Sequence, residues 1–269
     1  MRTIRLKEVR QNVDDFLSPT ESYRDRCDES LPVGPFRRRG TPDGFLATGG
    51  DRLNAEKKLI LLGGSFVESM YIPEEARFAA VIERALPVDW RVCNGEYSGM
   101  TTLHLLLGLA SKIPPMLTTG SKVIIFIGMS DLFALSQPGR YWDAHPMVTP
   151  IQPAPDSEVQ APLSIEPALR GVVRATFATA EALGMDFGVV ASPYRDVGAP
   201  ADNAESPEAI RRLIQAVAQE EAVRMAVPFL NSQDHVEPAD FYDRMHLNEA
   251  GQARYASVLL WWIRSQLGV

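Results

Sequence analysis

The chain has 269 residues, is 45% hydrophobic, and carries 27 Lys and Arg against 34 Asp and Glu, a net charge of −7. That length and apolar content suit one sizeable α/β domain, and the acidic balance argues against a nucleic-acid partner. Two cysteines, Cys27 and Cys93, give no disulfide framework, and the charged start MRTIRLKEVRQNVDDF lacks the apolar core of a secretory signal or membrane span, so a cytoplasmic location is expected.

Residues 1–56 read as an N-terminal extension packed on the edge of the domain. Prolines and glycines interrupt it, and apolar residues are too sparse there for a separate core. Its basic run Arg37-Arg38-Arg39 reads as a solvated loop, too short for a phosphate patch. The pattern changes at residue 57, and 57–269 is expected to form the main domain. KLILLGG is a continuous apolar run ended by glycines, a strand buried on both faces. PEEARFAAVIERAL follows with acidic residues in its first turn and apolar residues at helical spacing. WRVCN is a second strand, with Cys93 as a small buried thiol, and TTLHLLLGLASKI a second helix. KVIIFIG is the third strand. Residues 137–163 then form a Pro-rich insertion; a loop this long is commonly functional, and it is a candidate lid whose Tyr141 and Trp142 offer aromatic faces to a substrate. SIEPALRGVVRATFATAEALG, MDFGVVAS, SPEAIRRLIQAVAQEEAVRM, VPFLN and NEAGQARYASVLLWWIRSQL continue the alternation of helix and strand. Ser206 and Asn248 are the expected N-caps of the last two helices. Five strands alternating with helices predict a parallel sheet with helices on both faces.

In such sheets, ligands bind beyond the carboxyl ends of the strands. Four polar segments follow strands there: Gly63-Gly64-Ser65, the stretch Asn94 to Gly99, Gly128 to Asp131, and Asp243-Arg244-Met245-His246. Together they supply a hydroxyl, a carboxylate, an imidazole and flexible backbone, the parts that acyl transfer needs. Ser65 is a weak nucleophile until a base takes its proton, and His246 titrates in the right range to be that base. Asp243, three residues earlier, is close enough in sequence to fix the imidazole tautomer; Asp240 is the alternative. The amides of Ser65 and Gly99 are candidate oxyanion donors. Ser65 with Glu68 also has capping-box spacing, the bland reading of that serine. His104 reads as a packed helix residue. No metal-ligand spacing and no phosphate-binding loop appear, so neither metal nor cofactor is expected.

The segments LILLGGSFVES, VCNGEYSGMTT, IFIGMSDL and DRMHLNEAG resemble the four sequence blocks of the SGNH (GDSL-like) hydrolase superfamily, in order and with normal spacing. The resemblance implies a flavodoxin-like α/β/α sandwich with a five-stranded parallel sheet, and a triad of Ser65, Asp243 and His246. It also implies an oxyanion hole of Ser65, Gly99 and Ser130, and an ester substrate that is a small molecule or a carbohydrate. Two positions depart from the family pattern. The usual Gly-Asp-Ser is here Gly63-Gly64-Ser65, and Ser130 replaces an asparagine whose amide is an oxyanion donor. The expected activity is a serine esterase. The rivals are an O-acyltransferase using the same acyl-enzyme and a catalytically weak ligand-binding module; oligomeric state is left open.

Overall fold

A computed structural model of the chain describes residues 3–4, 7–50, 52–95, 97–142, 147–152, 164–195 and 205–269. Five strands form one all-parallel sheet: β1 (Lys57–Leu62), β2 (Trp90–Asn94), β3 (Lys122–Ile127), β4 (Phe187–Ala191) and β5 (Phe229–Asn231). Their spatial order is β2-β1-β3-β4-β5, the flavodoxin-like order. The six longer helices are α1 (Phe78–Ala85), α2 (Thr102–Ser111), α3 (Met129–Leu135), α4 (Ile165–Ala182), α5 (Pro207–Arg224) and α6 (Glu249–Leu267).

The strands are apolar throughout because both faces are covered. Period-two alternation sends Ile60 and Leu62 of β1 and Ile125 of β3 into a core shared with Leu105, Phe177 and Ile214 of α2, α4 and α5. Leu59, Leu61, Ile124 and Phe126 face the other way, onto Phe78 of α1 and Tyr255, Leu259 and Trp262 of α6. This division also separates the adjacent tryptophans: Trp262 is buried and Trp261 exposed. The expected N-caps are in place, with Ser206 accepting from the Ala209 amide and Asn248 from the Gly251 amide. Cys93 and His104 are both buried. No helix among the described residues is long and apolar enough to cross a membrane.

The N-terminal segment has more structure than its polarity suggests. Asp14–Leu17 pairs antiparallel with Phe36–Arg39. The basic run is therefore a strand and not a solvated loop. Arg37, Arg38 and Arg39 pair with Asp14, Asp15 and Glu74, respectively, so local ion pairs hold charged residues in a ladder. Phe36 and Leu31 add a small apolar cluster with Tyr71, Ile72 and Tyr242. Tyr242 immediately precedes Asp243, so this cluster anchors the C-terminal loop that carries the acid and the imidazole.

Candidate active site

The order β2-β1-β3 reverses direction between β1 and β3, and a crevice opens beyond the strand ends at such a switch point. Ser65 follows β1 and Ser130 follows β3, so both stand on its rim. Gly64 is the N-cap of a one-turn helix, Ser65–Glu68, which Ser69 ends in a left-handed conformation (φ 51°). Ser65 is thus the first helical residue and not a cap, which removes the capping-box reading. Its amide is one of those a helix start leaves unbonded. Glu68 is buried beneath it, accepts the Ser98 hydroxyl at 2.6 Å, and has its carboxyl pushed up by burial.

Asp243 and His246 lie in a tight loop before α6, closed by the Tyr242 amide donating to the His246 carbonyl at 3.0 Å. His246 Nε2 is 2.8 Å from Ser65 Oγ, and Nδ1 is 2.7 Å from Asp243 Oδ2. The two carboxylate oxygens divide their work. Oδ1 accepts the amides of Met245 and His246 at 2.7 and 2.6 Å, which fixes the loop. Oδ2 faces the imidazole and also accepts the Tyr23 hydroxyl at 2.7 Å. Tyr242 stacks on the imidazole at 5.7 Å between centroids. Asp240, the alternative partner, instead accepts the Glu237 amide at 2.8 Å and lies 3.3 Å from Arg254.

Burial pushes the Asp243 carboxyl up, but the His246 imidazole, the Met245 amide and the Tyr23 hydroxyl outweigh it and hold it well below the usual carboxylate range. A depressed carboxylate stabilises the fold fully above its ordinary pKa and loses that contribution only as pH falls through the lower folded value. This loop therefore keeps its charge through mildly acidic conditions. Burial, with Tyr242 and Asp243 nearby, pushes the Tyr23 phenol far up, so it stays a proton donor.

Tyr23 is the contact that sequence reasoning missed. It sits 220 positions from Asp243 in a polar segment, and no spacing or periodicity marks it. The short helix Glu21–Arg24 presents it, with Thr20 capping, and its ring packs against Tyr71 at 5.0 Å. The Asp28 amide bonds the Tyr242 carbonyl and its carboxylate pairs with Arg195, which ties the segment to the loop.

The two departures from the family pattern meet in space. A Cβ at Gly64 would lie 2.7 Å from Ser130 Oγ and 3.0 Å from the Met100 carbonyl oxygen. The absent side chain at 64 and the short one at 130 therefore belong to one packing solution. Adding a methyl here is an overpacking change costing about 1–3 kcal/mol, so Gly64→Ala is expected to lower the melting temperature by about 2–8 °C. Ser130→Ala in the same chain removes the nearer clash and recovers part of that loss; thermal melts of the two variants check it. Gly99 (φ 77°) is needed for its conformation and because a Cβ would meet Lys7 Nζ and the Met147 carbonyl, each at 2.5 Å. The hollow around Ser65 is lined by Gly64, Met100, Gly128 and Ser130 among others, but not by Gly99.

The aromatic pair of the insertion divides. Tyr141 is a correction: it lies in the core at 2% exposure, and its hydroxyl donates to Asp131 Oδ1 at 2.5 Å. Asp131 is itself buried and accepts Thr102 through its amide and hydroxyl, so Tyr141 satisfies a buried carboxyl and has no face left for substrate. Trp142 is half-exposed and lines neither the Ser65 hollow nor the larger cavity beside it. Of the insertion expected at 137–163, residues 143–146 and 153–163 lie outside the described residues.

Residues 61–254 match the GDSL-like lipase/acylhydrolase family. No curated protein sequence matches the chain. Among solved structures, the chain is similar to a catalytic mutant of an acetylxylan esterase from Geobacillus stearothermophilus, with 16% identity and a TM-score of 0.53 over 78% of this chain and 94% of that one. It is also similar to a carbohydrate acetylesterase from Sinorhizobium meliloti, with 16% identity and a TM-score of 0.50 over 78% and 99% of the two chains. The psychrotrophic esterase EstA from Pseudoalteromonas sp. gives 13% identity and a TM-score of 0.55 over 79% and 100%. At such identities the likeness is one of fold. The family match spans the segments that carry Ser65, Gly99, Ser130, Asp243 and His246, and by it the chain belongs to the GDSL-like lipase/acylhydrolase family, the carboxylic ester hydrolases of SGNH type.

Proposed function

We propose that the chain is a serine esterase in which Ser65 is the nucleophile, His246 the general base and acid, and Asp243 the group that orients the imidazole. The observation that carries this is the unbroken relay from Ser65 Oγ to His246 Nε2 at 2.8 Å and from Nδ1 to Asp243 at 2.7 Å. Ser65 Oγ attacks the ester carbonyl as its proton passes to Nε2. The carbonyl oxygen takes the negative charge, against the Ser65 amide and the Ser130 hydroxyl; the Gly99 amide, which does not line the hollow at Ser65, is the third candidate donor. Collapse expels the alcohol, which takes the proton back from Nε2, and leaves an acyl group on Ser65. Water then repeats the cycle and releases the acid. Asp243 stays ionised throughout, since its carboxyl is held so far down. The esterases of similar fold make an O-acetyl group on a carbohydrate, or another small acyl ester, the first substrate class to test. The test is covalent labelling: a fluorophosphonate adds one mass equivalent at Ser65, and His246→Ala abolishes the addition. Labelling that persists without His246, or that occurs elsewhere, overturns the assignment.

Tyr23 enters as a positioning residue, because it reaches the reacting atoms only through Asp243 and His246. Its hydroxyl shares Oδ2 with the imidazole. Tyr23→Phe removes one of the donors that hold the carboxylate charge, so the remaining partner, the imidazolium, is bound more strongly. The acid limb of the kcat/KM profile is expected to move to higher pH, and kcat to fall about three- to tenfold as the loop loses an anchor, in line with one charge-assisted hydrogen bond. A lowered rate with an unmoved acid limb would mean that Tyr23 serves packing alone.

A further inference from the structure

We propose that the ester cleaved here carries an anionic group, a carboxylate or a phosphate, separated from the scissile carbonyl by a short apolar stretch. This rests on the esterase reading of Ser65 given above. The hollow at Ser65 itself is small, about 10 Å³, and leaves no room for the remainder of a substrate. It adjoins a cavity of about 530 Å³ and shares Met129 and Met245 with it. An ester bound at Ser65 therefore extends into that larger space.

The larger cavity combines two chemistries. Met129, Leu132 and Phe133 of α3 give it an apolar side, and Phe133 is 46% exposed. Arg26, Arg211 and Arg244 line it as well. In a chain of net charge −7, this is a local excess of the opposite sign. The only carboxylate lining it among the described residues is Asp243, and both of its oxygens are already engaged by four donors. Neither Arg26 nor Arg244 forms an ion pair among the described residues: Arg26 donates to the Ser22 carbonyl and lies over the Tyr23 ring, and Arg244 has no side-chain partner. Arg211 is 8% exposed, spends Nη1 on Glu208, and stands over the Tyr194 ring at 4.8 Å, while its buried Nε has no partner among the described residues. Guanidinium groups beside an apolar wall suit a planar or tetrahedral oxyanion at the end of a short hydrocarbon spacer. A neutral acetyl ester uses none of them.

Two substrate pairs place the charge on either side of the scissile bond. Mono-para-nitrophenyl glutarate is compared with para-nitrophenyl pentanoate, and para-(acetoxymethyl)benzoate with para-(acetoxymethyl)benzamide. In at least one pair, kcat/KM of the anionic ester is expected to exceed that of the neutral one by about tenfold, the contribution of a charge-assisted contact at a partly exposed site. Which pair responds identifies the acid or the alcohol portion as the occupant of the cavity. The ratio should shrink as ionic strength rises from about 0.05 to about 0.5 M, and fall towards unity in the Arg26→Gln/Arg244→Gln variant. A ratio within about twofold of unity in both pairs, or one that the double variant and salt leave unmoved, overturns the inference while turnover and Ser65 labelling keep the esterase reading. No turnover of any of the four esters, with no labelling of Ser65, overturns both.

Discussion

Ser65→Ala is expected to lower kcat towards a small ester such as para-nitrophenyl acetate by about a million-fold, leaving a residue of about a thousandfold or more over the reaction in water. The size follows from what the hydroxyl does. Without Oγ there is no acyl-enzyme, and His246 can only activate a water that nothing positions. The oxyanion donors are untouched: the substitution leaves the backbone amides and the Ser130 hydroxyl in place. Ser65 is half-buried and, among the described residues, its hydroxyl bonds only His246, so stability should change little. Release of para-nitrophenolate by the purified variant measures the loss, and titration with a fluorophosphonate, which reacts only at an intact Ser65, sets the amount of contaminating wild-type enzyme. A drop smaller than about a hundredfold would place the chemistry elsewhere, since a single oxyanion donor alone is worth that much.

How much of this was legible in the sequence depends on the range of the interaction that fixes each feature. The five strands are readable because a strand buried on both faces must be apolar at every position, and the caps at Ser206 and Asn248 because a side chain bonds an amide three residues on. The candidate site is readable for a topological reason: parallel strands bring every loop at their carboxyl ends to one rim, so Ser65 and His246 meet across 181 positions. What escaped has no local signature. Tyr23 joins Asp243 through a segment whose polarity says only that it is surface. The Asp14–Leu17 and Phe36–Arg39 hairpin is held by Asp–Arg pairs, which in sequence look like solvated charge. Tyr141 looks like a lid aromatic beside Trp142, but a buried carboxyl at Asp131 claims its hydroxyl, and only three-dimensional packing shows that the carboxyl is buried. In sequence, Gly64 and Ser130 read as two separate departures from a motif; their close approach in space makes them one.

Asp243→Asn is expected to lower kcat by about ten-thousand-fold and the melting temperature by only a few degrees, the stabilisation of the depressed carboxylate being lost while the backbone bonds of the loop survive, and the geometry supplies the reason. The two oxygens of Asp243 are not equivalent. Oδ1 accepts two backbone amides, from Met245 and His246. An asparagine must therefore keep its carbonyl oxygen there, because turning its NH2 towards two N–H groups would break both bonds. The NH2 then faces Nδ1 of His246 and the Tyr23 hydroxyl, where an acceptor stood before. Facing a donor, the imidazole can satisfy Nδ1 only as an acceptor, which puts its proton on Nε2. That nitrogen is 2.8 Å from Ser65 Oγ and can then no longer take the serine proton. The loop keeps its backbone bonds and the protein stays folded, but the base is held in the wrong tautomer. Fluorophosphonate labelling of Ser65 should slow in parallel with kcat, because both need the same proton transfer. A variant that loses its fold as readily as its activity, or that labels at the wild-type rate, would show that Asp243 holds the loop together and does not set the tautomer.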